Sequence, residues 1–433
     1  MASHFVNIDR ETPMLLPPDL REWVAENDLA LFVLEAVEMS DLRCAAINER
    51  GSGSAQYPPG MMLALLIYCY ASGIFSSRRI ERASFESVAV RYLCANQHPD
   101  HDTVAKFRRE NAQLVSRVFV RVLELAREMK LLSVGTVSVD GSKMMAAAGK
   151  RANRSKEQLE KELAGLREQV QERLSEAERA DASDQGDPLT LPRELADRDT
   201  RRAKLLAAQE VLLERERERA ERLEKGERVS APSAAGPQVN VSDPQSRLMP
   251  TAQGPFVQGY NVQAVVDAQG SRLILGARVC QASNDRRELK ANVESIPAEL
   301  GAPTAVLADS GYDHQGQIEQ VEQQSGARVY CPPQGSRPPG PGGPARQSAA
   351  RRAVSQARER MRQRLCTAEG RALYALRQVV SEPVFAAIKN ALGFKRFSMR
   401  GLQKVQTEWQ LVALAYNCRT LSRTISKPNR LNP

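Results

Sequence analysis

The segment GTVSVDGSKM at residues 135–144 decides the fold class of this chain. Its β-branched residues alternate with small or polar ones, which predicts a strand with Asp140 near its centre or end. A second segment, AVLADSGY at residues 305–312, begins with a short apolar run and ends on an aspartate and a glycine. Such a run is typical of a buried strand. Asp309 should therefore lie at the carboxyl edge of a sheet, where open sheets build their sites.

Strand and helix patterns alternate around these two segments. Residues 260–267 and 273–279 flank Ala268-Gln269-Gly270, which predicts a β-hairpin. Helices are expected near 285–299 and 314–324, with a short strand at 327–330. This order predicts an α/β domain.

The region before this domain has a helical pattern throughout. Residues 15–133 repeat apolar side chains every three or four positions, and strand signals are lacking. Ser76-Ser77 begins one expected helix with exposed cations, and Asp102 is the expected N-cap of another. Two readings stay open, a DNA reader similar to a helix-turn-helix and a plain helical bundle. The pair His98 and His101 indicates a loop before a helix rather than a metal site.

A charged insertion follows the first strand. Residues 150–228 are rich in Glu, Arg, Lys, Ala and Leu, with apolar residues spaced by threes and fours around a break at 184–188. This pattern predicts an antiparallel helical hairpin. Pairing within the chain is favoured over a long dimeric coiled coil, because each arm has few clean heptads. A linker rich in Ser, Pro, Ala and Gly follows at 230–237.

The C-terminal third begins with a Pro- and Gly-rich stretch at 332–344, which predicts a loop. Long helices are expected at 345–380, 383–393 and 402–424. Pro383 either starts a helix or kinks one, so we expect Glu382 at a helix break.

Composition points to an anionic partner. The 433 residues carry a formal net charge of +9, which favours nucleic acid without excluding an ordinary basic enzyme. The 7 cysteines are scattered and never spaced as Cys-x-x-Cys, so we expect reduced, mostly buried thiols. No signal-peptide pattern and no apolar run long enough to span a bilayer is found, which predicts a soluble, cytoplasmic, nucleoid-associated protein.

The segment SEPVFAAIK at residues 381–389 combines an acid with a cation. Glu382 and Lys389 are two helical turns apart and should point the same way. Taken singly, Asp140 could cap a turn and Asp309 could form an Asx-turn. Glu382 could be a surface residue near a helix start. Taken together on neighbouring elements, the three carboxylates predict a cluster of negative charge that Mg²⁺ or Mn²⁺ would neutralise. Two ions are expected.

With these motifs, the chain resembles the DDE transposases of bacterial insertion sequences, in the group with a long helical insertion after the first catalytic strand. The first two signatures are Val139-Asp140-Gly141-Ser142 and the segment at 308–312. The third is similar to the C-terminal signature of the family, although the gap from Arg377 to Glu382 is one residue longer than in its commonest form. That residue would turn Arg377 by about 100° around a helix axis. The resembling positions also include Tyr374, Arg377, Glu382, Lys389, Asn284 and Asp285.

The resemblance implies an RNase H-like catalytic core with a coiled-coil-like helical insertion, preceded by an all-α N-terminal domain. It implies Mg²⁺-dependent cutting and rejoining of DNA at terminal inverted repeats, with Asp140, Asp309 and Glu382 as catalytic, metal-binding residues. The residues expected to contact DNA are Tyr374, Arg377, Lys389, Arg396 and Arg400. The expected domains are a DNA-binding domain at 1–133, a catalytic domain at 134–149 plus 238–424, the insertion at 150–229 and a tail at 425–433.

The sequence therefore predicts a transposase that acts on terminal repeats and target DNA as a homodimer or larger assembly. Two alternatives stay open. One is an inactive or regulatory DNA-binding protein derived from a transposase. The other is an RNase H-like nuclease without strand transfer.

Overall fold

The computed structural model describes residues 19–48, 55–183, 190–225, 236–251, 254–334 and 349–426. Contacts divide the chain into two compact units. The first is Met1–Asn111 with Cys418–Pro433, and the second is Ala112–Asn417. Most of the predicted loop at 332–344, the linker at 230–237, the break at 184–188 and the tail at 425–433 lies outside the described residues. None of the helices within the described ranges is long and apolar enough to cross a membrane.

The described part of the first unit contains helices and no strand. Its longest helix before residue 111 is apolar on every side, because residues 62–67 are all buried. A short 3-10 helix, Leu20–Trp23, comes before the α-helices. They are α1 Leu29–Glu38, α2 Pro59–Ala71, α3 Ser77–Glu86, α4 Val88–Leu93 and α5 His101–Glu110.

The start of α5 differs from the prediction. Asp100, not Asp102, is its N-cap, and the Asp100 carboxylate accepts hydrogen bonds from the backbone N–H groups of Asp102 and Thr103, both at 2.9 Å. Asp102 was a wrong choice because the helix starts one residue before it, so its side chain already lies in the first turn. His98 and His101 both contact α3, through Ser84 at 3.0 Å and Glu81 at 2.8 Å.

Arg108 of α5 is buried inside the first unit, with 6% of its surface exposed. Its guanidinium donates to the Tyr70 hydroxyl at 2.8 Å and to the Phe75 carbonyl at 3.0 Å. A buried charge needs such partners, since unpaired burial is costly. Arg108 therefore stabilises the helical core and is not presented to a ligand.

The second unit is built on a mixed sheet. Its central strand, β1 (Thr136–Met145), pairs antiparallel with β5 (Gly254–Asp267) and parallel with β7 (Ala305–Ala308). The other strands of this unit are β2 Asn153–Arg154, β3 Val239–Asn240, β4 Arg247–Thr251, β6 Ile274–Cys280 and β8 Arg328–Tyr330. β8 pairs parallel with β7, while β4 and β6 pair antiparallel with successive parts of β5. The predicted α/β class and the β5–β6 hairpin are confirmed.

The described helices that begin in the second unit include one that hydrogen-bonds to the outer strand of this sheet. They are α6 Ala112–Glu128, α7 Lys156–Ser183, α8 Thr190–Glu224, α9 Leu289–Val293, α10 Gln315–Ser325, α11 Ala349–Cys366, α12 Ala368–Ala386 and α13 Leu402–Ile425. Gln406 and Asn417 of α13 bind backbone groups of β6 at 2.7–2.8 Å. These side-chain amides occupy backbone N–H and C=O groups of an edge strand, which would otherwise be open to pairing with another strand. The helix expected at 285–299 is much shorter than predicted, since α9 has five residues.

The predicted helix break at Glu382 is wrong. Helix α12 begins after the N-cap Thr367 and continues through Pro383 to Ala386. A proline inside a helix leaves the carbonyl four residues earlier without its partner. Here that residue is Val379, which is 52% exposed, so the missing bond falls on the exposed side of the helix. A π-helical turn, Ala387–Ala391, follows directly and is closed by the Leu392 N–H on the Ala387 carbonyl at 2.9 Å.

The insertion is a pair of helices packed on each other within one chain, as predicted. Leu159, Leu163 and Leu166 of α7 form a buried cluster with Leu205, Ala208 and Leu212 of α8. Val239 of β3 joins this cluster and connects the insertion to the rest of the second unit.

We predict that Leu205→Ala lowers the free energy of unfolding of the insertion by about 2–4 kcal/mol, because it leaves a cavity in this cluster. The neighbouring Leu206→Ala is the matched control, since Leu206 is 41% exposed and Leu205 only 1%. Urea unfolding followed by helical circular dichroism measures the difference. Equal losses in the two variants would contradict the packing described.

Candidate active site

Asp140 lies on the face of β1 that packs against α12. Side chains alternate along a strand, so Ser138, Asp140 and Ser142 point to one face. The Ser381 hydroxyl of α12 donates to the Ser138 hydroxyl at 2.7 Å, and the Lys389 amine donates to the Ser142 hydroxyl at 2.5 Å. The helix thus runs alongside β1 in the same direction, and Asp140 lies between its two points of attachment.

Asp309 comes next to Asp140 through the register of two parallel strands. Val139 pairs with Ala308, so the next residue of each chain segment is an aspartate. Neighbouring strands are about 4.8 Å apart, and paired residues point to the same face. The Asp309 carboxylate also accepts the Gly311 N–H at 2.8 Å.

This pairing has an electrostatic consequence for Asp140. Its pKa is raised to about 6, chiefly by burial and further by the negative charges of Asp309 and Asp285. The Gly141 N–H and the positive charge of Arg377 act in the opposite direction. A carboxylate that is costly to ionise beside another acid is stabilised when a cation binds there.

Arg377 lies in this site despite its longer spacing from Glu382. Burial lowers the pKa of Arg377, but the charges of Asp140, Tyr374 and Asp309 outweigh it, and the pKa is raised. Its Nε is buried without a hydrogen-bond partner, so one donor is unused. The pKa of Tyr374 is raised by burial, and the charge and hydrogen bond of Arg377 oppose that shift. Both side chains therefore lie on the α12 face that meets the two aspartates.

Lys389 reaches the same site from the π-helical turn. Besides the Ser142 hydroxyl, its amine donates to the Lys143 carbonyl at 3.4 Å. Its pKa is lowered by burial, while the negative charge of Asp140 acts to raise it. The amine is thus held within electrostatic range of Asp140.

Glu382 is placed apart from the two aspartates. It is exposed on α12, one residue after the buried Ser381. Among the residues that the structure describes, no three His, Cys, Asp or Glu side chains are grouped closely enough to hold a metal. The structure therefore brings Asp140 and Asp309 together and leaves Glu382 on the edge of the helix that faces them.

Arg396 and Arg400 lie beyond the end of β1. Met145, the last residue of β1, forms a bridge with Arg396, and the Phe397 N–H donates to the Met145 carbonyl at 2.9 Å. Arg400 Nε donates to the Ala147 carbonyl at 2.9 Å. Both arginines are exposed, so their remaining donors face solvent at this end of the strand.

Asp285 is an additional acid that residue patterns did not single out. Its Oδ1 accepts from Asn261 at 2.6 Å and Gln263 at 2.7 Å, and Lys143 Nζ is 3.6 Å away. It packs on Gly141, where any Cβ would come within 2.7 Å of that oxygen. Asp285 lies in the loop between β6 and α9, where no periodicity marks it. The similarity of Asn284-Asp285 to the family was its single signal.

The donors at this site suit a hard divalent cation. Asp140 and Asp309 offer adjacent carboxylate oxygens, which Mg²⁺ and Mn²⁺ prefer. Burial raises the pKa of Asp140, so a bound cation would offset the cost of ionising it. The two aspartates therefore fit a metal, and Glu382 would have to turn inward to join them.

Two family models match the chain. Residues 235–418 match one described as "Transposase DDE domain", and residues 18–110 match one described as "Transposase domain (DUF772)". The first range includes Asp309, Arg377, Glu382 and Lys389, and it begins after Asp140 and the insertion. No curated protein and no solved structure matches the chain.

We predict that in chelator Asp140 lowers the stability of the protein as pH rises from about 4 to about 6, so that Asp140→Asn gains stability relative to the wild type across this window. A raised carboxyl pKa means that the folded state binds more protons than the unfolded state in that window, so the charged form destabilises it. The shift from 3.8 to about 6 corresponds to roughly 2–3 kcal/mol. Chemical denaturation at several pH values measures this, and equal pH dependence in both proteins would contradict it.

Proposed function

The chain belongs to the DDE transposases of insertion sequences, and on this basis we propose that it cuts DNA at the ends of an element and joins those ends to target DNA. The observation that carries the proposal is the register of β1 and β7, in which Asp140 and Asp309 each directly follow one residue of the last pair, Val139 and Ala308. An RNase H-like core is supported by the strand order, in which an antiparallel β5–β6 hairpin lies on one side of β1 and parallel β7 and β8 lie on the other.

Asp140, Asp309 and Glu382 are the residues that would hold Mg²⁺ or Mn²⁺. When bound, two such ions would stabilise the attacking and leaving oxygens of an in-line displacement at phosphorus. Glu382 lies between Ser381 of α12 and Lys389 of the π-helical turn. Both of these residues contact β1, on either side of Asp140. A change of side-chain rotamer is the movement that we propose for it.

The cations of the site would bind the DNA. Arg377 has an unused buried donor and lies near both aspartates, so it is suited to a phosphate oxygen close to the scissile bond. Tyr374 is associated with Arg377 and would orient it. Lys389 is fixed on Ser142, and its charge would offset a phosphate next to Asp140. The exposed Arg396 and Arg400 would contact backbone farther along the duplex.

The first unit would recognise the terminal repeats. Helix α3 presents Arg78 and Arg79 to solvent, and exposed cations of this kind supply affinity for the phosphate backbone. Two ends must be processed in one event, so we propose that the active form is a homodimer or larger assembly on DNA.

We predict that Asp140→Asn, Asp309→Asn and Glu382→Gln each reduce end cleavage by about a thousand-fold or more, because each removes a metal ligand. The substrate is duplex DNA carrying the inverted repeats that flank the coding region, with Mg²⁺ and a target plasmid. Cleaved ends and joined products are scored separately.

Glu369→Gln is the matched control, an exposed acid on the same helix that should leave activity unchanged. Full activity of any of the three variants would remove that residue from the proposed set. Cleavage without joining would instead indicate a nuclease, and binding without cleavage a regulatory DNA-binding protein.

We further predict that Arg377→Gln shifts the acidic limb of the pH–rate profile to higher pH. Arg377 lowers the pKa of Asp140, so its loss lets that pKa rise and less of the carboxylate is ionised at a given pH. Arg371→Gln, an exposed arginine earlier on α12, should leave the limb in place. Coincident profiles for the wild type and Arg377→Gln would contradict this role.

A further inference from the structure

A second cationic region lies where the inserted hairpin meets the sheet. Helix α8, strand β4 and residues 281–283 enclose an open groove of about 780 Å³. Four arginines line it, together with two glutamates. The arginines are Arg215, Arg219, Arg222 and Arg247. We refer to this region as the α8 groove.

Three of the arginines follow one face of α8. Arg215, Arg219 and Arg222 are spaced by four and three residues, so they lie one above another along the helix. At 1.5 Å per residue they span about 10 Å, which is the axial rise of about three base pairs along one strand. The series passes from the half-buried Arg215 and Arg219 to the exposed Arg222.

Arg215 fixes the helix against the rest of the second unit. Its guanidinium donates to the carbonyls of Pro244, of Ser246 at 3.2 Å and of Gln238 at 3.3 Å. These bonds hold the α8 face at the groove in a set orientation. The groove is therefore built into the fold before any ligand arrives.

Arg247 lines the groove from β4, and the charge and hydrogen-bond donors of its guanidinium are only partly balanced by its neighbours. Its Nε is buried and has no hydrogen-bond partner. Burial lowers the pKa of both Arg247 and Arg215, and the charges of Glu218 and Glu214 only partly offset this for Arg247. Of the two glutamates in the groove, Glu216 lies 4.0 Å from Lys156. An anion in the groove would relieve this excess positive charge.

The groove leads toward the acidic site along the chain itself. Ser283 lines the groove, and Asp285, two residues later, interacts with Asp140. Two residues span at most about 7 Å, so the groove begins within that chain length of Asp285, which packs on Gly141, the residue after Asp140. A polyanion held at the acidic site and continuing into the groove would meet the α8 arginines next.

We infer that the α8 groove binds the phosphodiester backbone of the DNA duplex that extends from the acidic site. This inference rests on the proposed function and assigns part of the substrate path to the insertion. Its open shape, the spaced arginines and its link to Asp285 through Ser283 favour a continuous duplex over a small anion.

The test compares two double variants of the full-length protein. Arg219→Ala with Arg222→Ala removes two charges inside the groove, and Arg202→Ala with Arg217→Ala removes two exposed charges of α8 outside it. Fluorescence anisotropy measures binding of a duplex from the end of the element, in chelator and over a range of salt. We expect the groove variant to bind about ten-fold more weakly and its salt slope to fall by roughly 1–2, as for the loss of one or two phosphate contacts.

The control variant should keep the wild-type slope, and both variants should keep the wild-type circular dichroism melt. Arg219→Lys with Arg222→Lys should retain most of the slope, because lysine also binds phosphate. Equal slopes in the groove and control variants would overturn the inference, as would a loss of inorganic pyrophosphate binding with unchanged duplex binding. In either case, end cleavage by the wild type would show that the proposed function still stands.

Discussion

The parallel register of β1 and β7 is the constraint on which the rest of the site depends. Because Val139 pairs with Ala308, the chain places two aspartates side by side on strands that are far apart in sequence. Burial, and further the negative charge of Asp309, raises the pKa of Asp140, so a counter-ion would favour its ionised form. Helix α12 then supplies cations through Arg377 and Lys389, held by its contacts with β1. Sheet geometry thus creates the site that we propose for metal and phosphate, at a cost to the stability of the fold.

Sequence patterns predicted the elements well where one strong signal dominated. The alternation in β1, the apolar run in β7 and the leucine spacing in the insertion each corresponded to the element observed. Local signals failed where a competing interaction decided the outcome. Pro383 lies inside α12 without ending it, and the helical hydrogen bond that it removes falls at the exposed Val379. Asp100 rather than Asp102 caps α5. Both acids are good caps, so the sequence alone could not choose between them.

The candidate site was only partly predictable for the same reason. Asp140 and Asp309 could be placed together from strand order, since parallel strands align their ends. The placement of Arg377 could not be predicted. The extra residue before Glu382 suggested that Arg377 would be rotated away around the helix axis, yet Arg377 interacts with both aspartates. Asp285 lies in an irregular loop, and its role in binding Asn261, Gln263 and Lys143 depends on contacts that no local pattern encodes. Glu382 is exposed on α12, and the order of residues alone does not tell which side of the helix faces the aspartates.

The central claim is that Asp140 and Asp309 share one divalent cation, and Mn²⁺ binding measured by isothermal titration calorimetry tests it most directly. Wild type, Asp140→Asn, Asp309→Asn and the double variant form a complete cycle. We predict tight binding to the wild type and similar, large losses of affinity in both single variants, with little added loss in the double variant. Wild-type Mn²⁺ affinity in either single variant, or strictly additive losses, would contradict it.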